Sequence, residues 1–296
     1  MSFLPLETFA SGSGTYLVED FEISYLPNLT LAELLRSRRY AEAKGKACLW
    51  GGALYEERMA GPGGAPAEAG SIDAPSPGDL RLDALARLDE GKSLEPVFED
   101  LGIYGWTDLP GTLGEAEDIR KLYPLAEMLT GGAVREDAVK AKFSPSKNDQ
   151  FEFVHFALHG IVLPDIPEIS AMVVTSESGS AEDGYLTSRE IEELSVKAET
   201  VVLSACETGL GIYYGGEGVA GLAQAFILAG AKGVSVTLWQ VSDESTREFM
   251  SGVYALTRQG MSFSAASSSM KRRFVNSSRW SEPFFWAPFI FTGISD

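Results

Sequence analysis

Apolar residues follow two spacings along the second half of the chain, and segments of the two kinds alternate. Short apolar runs bounded by turn residues predict buried strands, whereas apolar residues three or four positions apart predict helices. The predicted strands are 151–158, 171–176, 200–205, 233–239 and 285–293. The predicted helices are 113–125, 136–143, 187–194, 216–231, 243–260 and 262–275. Strands separated by single helices predict an α/β fold with a parallel sheet covered on both faces.

The first hundred residues have a less regular pattern. They predict short strands at 15–19, 21–27 and 47–55 and a helix at 29–45. Residues 56–80 are dense in glycine, proline, alanine and acids, so we expect an exposed, flexible loop there. We interpret residues 1–296 as one domain, with an N-terminal portion 1–110 and a second portion 111–296.

Helix-start signals accompany three of the predicted helices. Thr112 with Glu115, and Thr187 with Glu190, have the spacing of capping boxes. Asp243 precedes another helical segment and is expected to be its N-cap.

Composition and charge exclude several classes of protein. The chain has 296 residues, of which 45% are hydrophobic, and a formal net charge of −18. No apolar run approaches the roughly 20 residues of a membrane span. The single basic cluster, Lys271 to Arg273, is interpreted as a solvated helix end, so no direct nucleic-acid binding is expected. An acidic protein attracts basic peptides more readily than phosphates.

Cys48 and Cys206 are the two cysteines, too few for a disulfide framework. One disulfide between them remains an alternative, but free thiols suit a reducing cytoplasm, and the N-terminus lacks the pattern of a signal peptide. Two histidines and two cysteines are conceivable zinc ligands. The HxxxH spacing of His155 and His159 suits a helix, however, and here falls in a predicted strand, so no metal or cofactor is expected.

Two of the predicted strands end in residues that carry chemistry. One ends at His159-Gly160 and another at Cys206. Carboxyl ends of parallel strands share one edge of a sheet, so a Cys–His pair can assemble there. A nearby imidazole helps to form the thiolate, and backbone amides of Gly160 and Gly209 suit an oxyanion. The alternatives are that Cys206 is a small buried hydrophobe and that His155 packs in the core.

The segments FVHFALHG, VVLSACETGLG, GEGVAGLAQAFILAGAKGVSVTLWQVSDEST and FFWAPFIFTG strongly resemble the CHAT domain. This caspase-like cysteine peptidase family is often fused to tetratricopeptide repeats. The resemblance implies a three-layer sandwich with a mostly parallel central sheet, a catalytic portion over 111–296, and catalytic His159 and Cys206. It also implies the Gly160 and Cys206 amides as oxyanion donors. Leu158 departs from the threonine common in the family, a change expected to face away from the cleft.

Three acids are candidates for binding substrate. Asp243 lies in the loop that corresponds, by the resemblance, to part of the pocket for the residue before the cleaved bond. Its carboxylate would favour lysine or arginine there, unless Asp243 serves only as a helix cap. Asp165 and Glu217 are further candidates, and an apolar pocket is the alternative.

The function that follows is a cysteine endopeptidase acting on protein substrates, latent until a fused N-terminal repeat module or a regulatory partner orders its loops. The resemblance further implies roles in bacterial defence. The chain begins at the end of the family's first conserved strand, so we expect a longer parent or a partner that supplies the rest. A catalytically silent protein-binding scaffold is the main alternative, and a small-molecule thiol hydrolase or acyltransferase is another.

Overall fold

The computed structural model describes residues 5–12, 14–26, 28–40, 43–55, 77–103, 105–177, 179–204, 217–239 and 241–294. The helices are α1 Leu17–Asp20, α2 Leu29–Ser37, α3 Pro77–Glu90, α4 Glu95–Asp100, α5 Pro110–Leu122, α6 Glu136–Lys142, α7 Ser188–Glu192, α8 Glu217–Leu228, α9 Asp243–Arg258, α10 Phe263–Val275 and α11 Pro283–Trp286. The strands are β1 Ala47–Gly51, β2 Glu127–Thr130, β3 Gln150–Ala157, β4 Gly160–Ile161, β5 Ala171–Val173, β6 Tyr185–Thr187, β7 Lys197–Leu203, β8 Gly233–Thr237 and β9 Phe289–Gly293.

A central sheet runs through the described part of the chain in the order β2-β1-β3-β7-β8-β9. Its neighbouring strands are parallel except for β9, which is antiparallel to β8. In the β3–β7 pair, His155 lies opposite Val202 and Phe156 opposite Leu203. A smaller antiparallel sheet, β4-β5-β6, follows directly after β3 in the sequence.

Alternate side chains of the central strands enter two separate hydrophobic cores. Val154, Phe156 and Leu203 pack on the face covered by α6, α7 and α8. Phe153 and Val202 pack on the opposite face, against α5, α9 and α10. This alternation is the two-residue period of a strand buried on both sides. The prediction of an α/β fold with a mostly parallel sheet and helices on both faces is therefore confirmed.

The predictions for the N-terminal portion were less accurate. Residues 17–19 of the expected strand 15–19 belong to helix α1, which runs to Asp20, and the Glu19 carboxylate accepts a hydrogen bond from the Tyr16 amide at 2.9 Å. Helix α2 ends at Ser37 rather than at residue 45. The last four residues of the expected loop 56–80 are the first turn of α3, and residues 56–76 lie outside the described residues.

Two of the three predicted helix starts were wrong in detail. Thr187 and Glu190 do form a capping box. Thr112, in contrast, lies inside α5, which begins at Pro110, because its hydroxyl accepts from the Gly52 amide and donates to the Leu109 carbonyl. Helix α9 has Ser242 as its N-cap, and Asp243 is the first residue of its first turn.

The basic cluster at the end of α10 is not a solvated helix end. Lys271 is buried, and its Nζ lies 2.7 Å from Oε1 of the buried Glu7. Arg272 donates through Nε to the Val18 carbonyl at 2.7 Å. These contacts fasten the amino-terminal segment to α10. Among the described helices, none has the length and apolar composition that a membrane crossing requires.

Candidate active site

The carboxyl ends of β3 and β7 lie side by side, as the sequence pattern predicts for neighbouring parallel strands. The Ser204 amide continues the ladder beyond β7 by donating to the Phe156 carbonyl at 2.9 Å. His159 follows β3 by two residues. Cys206 follows Ser204 by two residues in the sequence, and it lies outside the described residues, as does Gly209.

The imidazole of His159 is enclosed by three residues that precede it in the sequence. Its Nε2 lies 2.7 Å from the Thr107 carbonyl oxygen. The Tyr55 ring contacts it edge-on at 4.7 Å between centroids, and the Trp106 ring lies at 5.0 Å. His159 is only 1% exposed. Because a carbonyl oxygen can only accept, Nε2 carries a proton, and Nδ1 is the ring nitrogen that exchanges a proton in the neutral imidazole.

The backbone around His159 is held by the Tyr55 hydroxyl. This hydroxyl accepts from the His159 amide at 3.3 Å and donates to the Val173 carbonyl at 3.1 Å. The Val173 amide in turn donates to the His159 carbonyl at 2.9 Å. Tyr55 therefore bridges the two strands at a position where a direct backbone hydrogen bond would normally form.

This pairing sets the direction of the Gly160 amide. Gly160 lies opposite Met172 in the antiparallel pair β4–β5. Hydrogen-bonded and non-hydrogen-bonded pairs alternate in such a ladder, and the His159–Val173 pair is a hydrogen-bonded one. Gly160 thus occupies a non-hydrogen-bonded position, from which its N–H is directed away from β5.

The three candidate substrate-binding acids are in different environments. Asp165 is exposed, and its carbonyl accepts from the Arg81 guanidinium at 2.9 Å. Glu217 is the first residue of α8, and its side chain lies outside the described part of the structure. No contact in the described residues brings Asp165 to His159.

Asp243 lies against the amino terminus of α5. It is exposed, and its carboxylate occupies the space that a Cβ at Gly111 would fill. Gly111 is four residues after Thr107, whose carbonyl contacts His159. Asp243 also follows the carboxyl end of β8, which is parallel to β7 and β3, so it lies at the same edge of the sheet as His159.

Two other groups of chemical interest lie elsewhere. Burial raises the pKa of the Cys48 thiol to about 12, so Cys48 is a poor nucleophile. The carboxylates of Glu136, Glu182 and Glu190 are close enough to hold a cation. The Lys140 ammonium already contacts all three, at 2.7 to 2.8 Å.

Sequence reasoning missed Thr107, Tyr55 and Trp106. Thr107 contributes a backbone carbonyl, and a backbone carbonyl is present whatever the residue type at that position. Tyr55 and Trp106 stand in segments that the hydrophobic pattern assigned to a strand end or to no element. The presence of an aromatic residue in each of these irregular segments was the signal that could have pointed to Tyr55 and Trp106.

A known protein family and two known proteins are similar to this chain in sequence. The family model described as the CHAT domain matches residues 1–294. Tetratricopeptide repeat protein 28 from Homo sapiens is 25% identical over 221 residues, which is 64% of this chain but 8% of that protein. The Mus musculus protein of the same name is 30% identical over 108 residues, 36% of this chain and 4% of that protein. The chain thus spans less than a tenth of these relatives.

Two solved structures are similar at low sequence identity. The Saccharomyces cerevisiae separase–securin complex aligns over 93% of this chain and 14% of the matched chain, with a TM-score of 0.48 and 15% identity. The Arg-specific cysteine proteinase gingipain R aligns over 84% of this chain and 46% of its own, with a TM-score of 0.45 and 10% identity.

Proposed function

The chain belongs to the CHAT domain family, and on that premise we propose that it is a cysteine endopeptidase with Cys206 as nucleophile and His159 as its acid–base partner. The observation that carries the proposal is the orientation of His159 at the carboxyl edge of the sheet. Its Nε2 is held by the Thr107 carbonyl at 2.7 Å. This contact supports Nδ1 as the nitrogen that serves the reaction.

In the first half of the reaction, the Cys206 thiol loses its proton to Nδ1 of His159. The thiolate adds to the carbonyl carbon of the scissile peptide bond, and the carbonyl oxygen becomes an oxyanion. The imidazolium then returns the proton to the leaving amine as the C–N bond breaks. A thioester between Cys206 and the acyl half of the substrate remains.

In the second half, water attacks the thioester while His159 takes a proton from it. The carboxylic acid product leaves, and the thiol is restored. Gly160 is a suitable oxyanion donor because its N–H is directed away from β5, and the Cys206 amide is the second donor in the proposal.

The enclosure of His159 supports a latent resting state. A side chain that is 1% exposed cannot reach a substrate unless its surroundings move. The relatives are tetratricopeptide repeat proteins in which the matching region is a small fraction of the length. We propose that a fused repeat module or a regulatory partner supplies that rearrangement, and that the role in bacterial defence depends on it.

Incubation with candidate protein substrates, alone and with the parent protein or its partner, tests this function. We expect cleavage by the wild type and none by Cys206→Ala or His159→Ala. Equal cleavage by wild type and Cys206→Ala would refute the proposal. Absence of labelling of Cys206 by a thiol-directed peptide probe, even with partners present, would favour the silent scaffold instead.

A further inference from the structure

A cluster of four buried polar side chains lies beneath the carboxyl edge of β3 and β7. Glu115 of α5, His155 of β3, Ser204 after β7 and Tyr254 of α9 are each at most 6% exposed. The Ser204 hydroxyl donates to Glu115 Oε1 at 2.5 Å. The His155 Nε2 lies 3.3 Å from the same oxygen, and its Nδ1 lies 2.9 Å from the Tyr254 hydroxyl.

Glu115 is expensive to bury in this position. A carboxylate removed from water costs several kcal/mol unless charges and hydrogen bonds compensate. Among the described residues, no lysine or arginine forms an ion pair with Glu115, and its partners are a hydroxyl and an imidazole. The His155 Nε2 makes no well-aligned hydrogen bond to Glu115 Oε1. Because burial of Glu115 does not favour folding, the presence of this glutamate in the core needs another explanation.

Ser204 is the residue that Glu115 holds most closely, and it is held on three sides. Its amide donates to the Phe156 carbonyl at 2.9 Å, and its carbonyl accepts from the Thr237 hydroxyl at 3.4 Å. Its side chain donates to Glu115. These contacts reach the two neighbouring strands and α5. They fix the point and the direction in which the chain leaves β7, two residues before Cys206.

We propose that Glu115 is a positioning residue for Cys206, and that it acts through its hydrogen bond to Ser204. The proposal rests on the proposed role of Cys206 as a nucleophile. The carboxylate accepts a hydrogen bond from the Ser204 hydroxyl and so prevents that residue from rotating or sliding along the ladder. Loss of the acceptor lets the end of β7 shift, and the sulfur with it. Misplacement of a reacting atom by about 1 Å can lower a rate on the order of 10²-fold.

The test measures the reactivity of Cys206 toward iodoacetamide, read by peptide mapping so that Cys48 is counted separately. This readout does not require peptidase activity. We expect Glu115→Ala and Ser204→Ala each to lower the alkylation rate constant at least about tenfold. The double variant should be no slower than the slower single variant, because both changes break one contact. Glu115→Gln should stay within about threefold of the wild type, since its amide oxygen still accepts from Ser204.

Glu7→Ala is the matched control, because it removes another buried glutamate whose contacts lie with α10 and the amino-terminal segment. It should reduce stability without slowing alkylation of Cys206. The proposal is overturned if Glu115→Ala and Ser204→Ala leave the rate unchanged, if Glu7→Ala slows it equally, or if the two single effects multiply. Should Glu115→Ala not fold, Ser204→Ala decides: a rate equal to that of the wild type overturns the proposal, and a rate at least about tenfold lower, with Glu115→Gln close to the wild type, supports it.

Peptide cleavage in the same variants separates this proposal from the proposed function. If alkylation depends on Glu115 as expected but the wild type cleaves no peptide under any condition, positioning is supported and the endopeptidase is not. If the wild type cleaves and the variants retain its kcat, positioning is overturned and the endopeptidase stands. A fall in kcat with KM unchanged supports both.

Discussion

Two buried glutamates make different contacts in this molecule, and they are compensated in different ways. Glu7 is 1% exposed, with the Lys271 ammonium on one oxygen and the Tyr25 hydroxyl on the other. Glu115 is 5% exposed and is held by the Ser204 hydroxyl, with His155 nearby. The first carboxylate has a full opposite charge, whereas the second has none among the described lysines and arginines.

The difference separates a region that stabilises the fold from one that, in our proposal, positions the candidate nucleophile. The ion pair of Glu7 joins the amino-terminal segment to α10, far along the sequence from the candidate nucleophile. A buried ion pair with both charges present is sufficient to join these two segments. The Glu115 cluster joins α5, α9 and two central strands where the chain approaches Cys206, and a carboxylate with weaker compensation is retained there. The predictions below test this contrast from the largest expected effect to the smallest.

Lys271→Ala should be the most destabilising change. Removal of one partner leaves the Glu7 carboxylate buried without its ammonium, which typically costs about 3–5 kcal/mol in the free energy of unfolding. Urea denaturation measures this loss. The matched double variant Glu7→Leu/Lys271→Met should recover most of it, because apolar residues of similar size often replace a buried ion pair without loss. A loss below about 1 kcal/mol for Lys271→Ala would show that Glu7 reaches water, and the contrast with Glu115 would fail.

Tyr254→Phe should have an intermediate effect on the other cluster. It removes the hydroxyl that lies 2.9 Å from His155 Nδ1, and a lost partner of a buried polar group costs about 1–3 kcal/mol. Burial raises the pKa of Tyr254 well above its ordinary value. The folded protein therefore keeps the phenol proton of Tyr254, while the unfolded chain loses it near pH 10. The contribution of Tyr254 to the free energy of unfolding is complete below that pH and declines above it.

The stability gap between wild type and Tyr254→Phe should therefore narrow as the pH rises above about 10. Urea midpoints on either side of that pH measure the gap. A gap that stays constant across this range would mean that Tyr254 ionises as easily in the folded protein as in the unfolded chain, contrary to its burial.

The sequence predicted the sheet far better than it predicted the site. Buried strands such as β3, β7 and β8 are nearly continuous apolar runs, so their existence and order could be recognised without tertiary information. Edge strand β2 was missed because its residues are half exposed and carry no such run. The placement of Glu115 was also misjudged. Its spacing from Thr112 suggested a capping box and a helix start at residue 113, but α5 begins at Pro110, three residues earlier, and the Glu115 side chain contacts Ser204.

The remaining errors have the same physical origin, which is that partners distant in the sequence decide the role of a polar residue. Lys271 sits in a basic run typical of a solvated helix end, and only the approach of Glu7 makes its burial tolerable. His159 is oriented by the main-chain carbonyl of Thr107. Every residue type has such a carbonyl, so the sequence could not indicate this contact. His159 itself was placed correctly at the carboxyl edge, because that position depends only on the parallel order of the strands.

Asp243→Asn should give the smallest change in stability and a selective change in activity. Its exposed carboxylate lies at the amino terminus of α5, where an acid stabilises a helix by about 0.3–1 kcal/mol. If the same carboxylate binds a basic side chain before the cleaved bond, kcat/KM for an arginine peptide should fall about tenfold, since charge-assisted hydrogen bonds contribute about 1.5–3 kcal/mol. A peptide with citrulline in that position should be affected much less.

Asp118→Asn is the matched control, because it removes an acid of α5 that pairs with Arg247 of α9 at 2.5 Å, and it should leave the ratio between the two peptides unchanged. Equal losses for both peptides in Asp243→Asn would indicate a displaced α5, and no loss for either would leave Asp243 as a charge of the helix terminus alone.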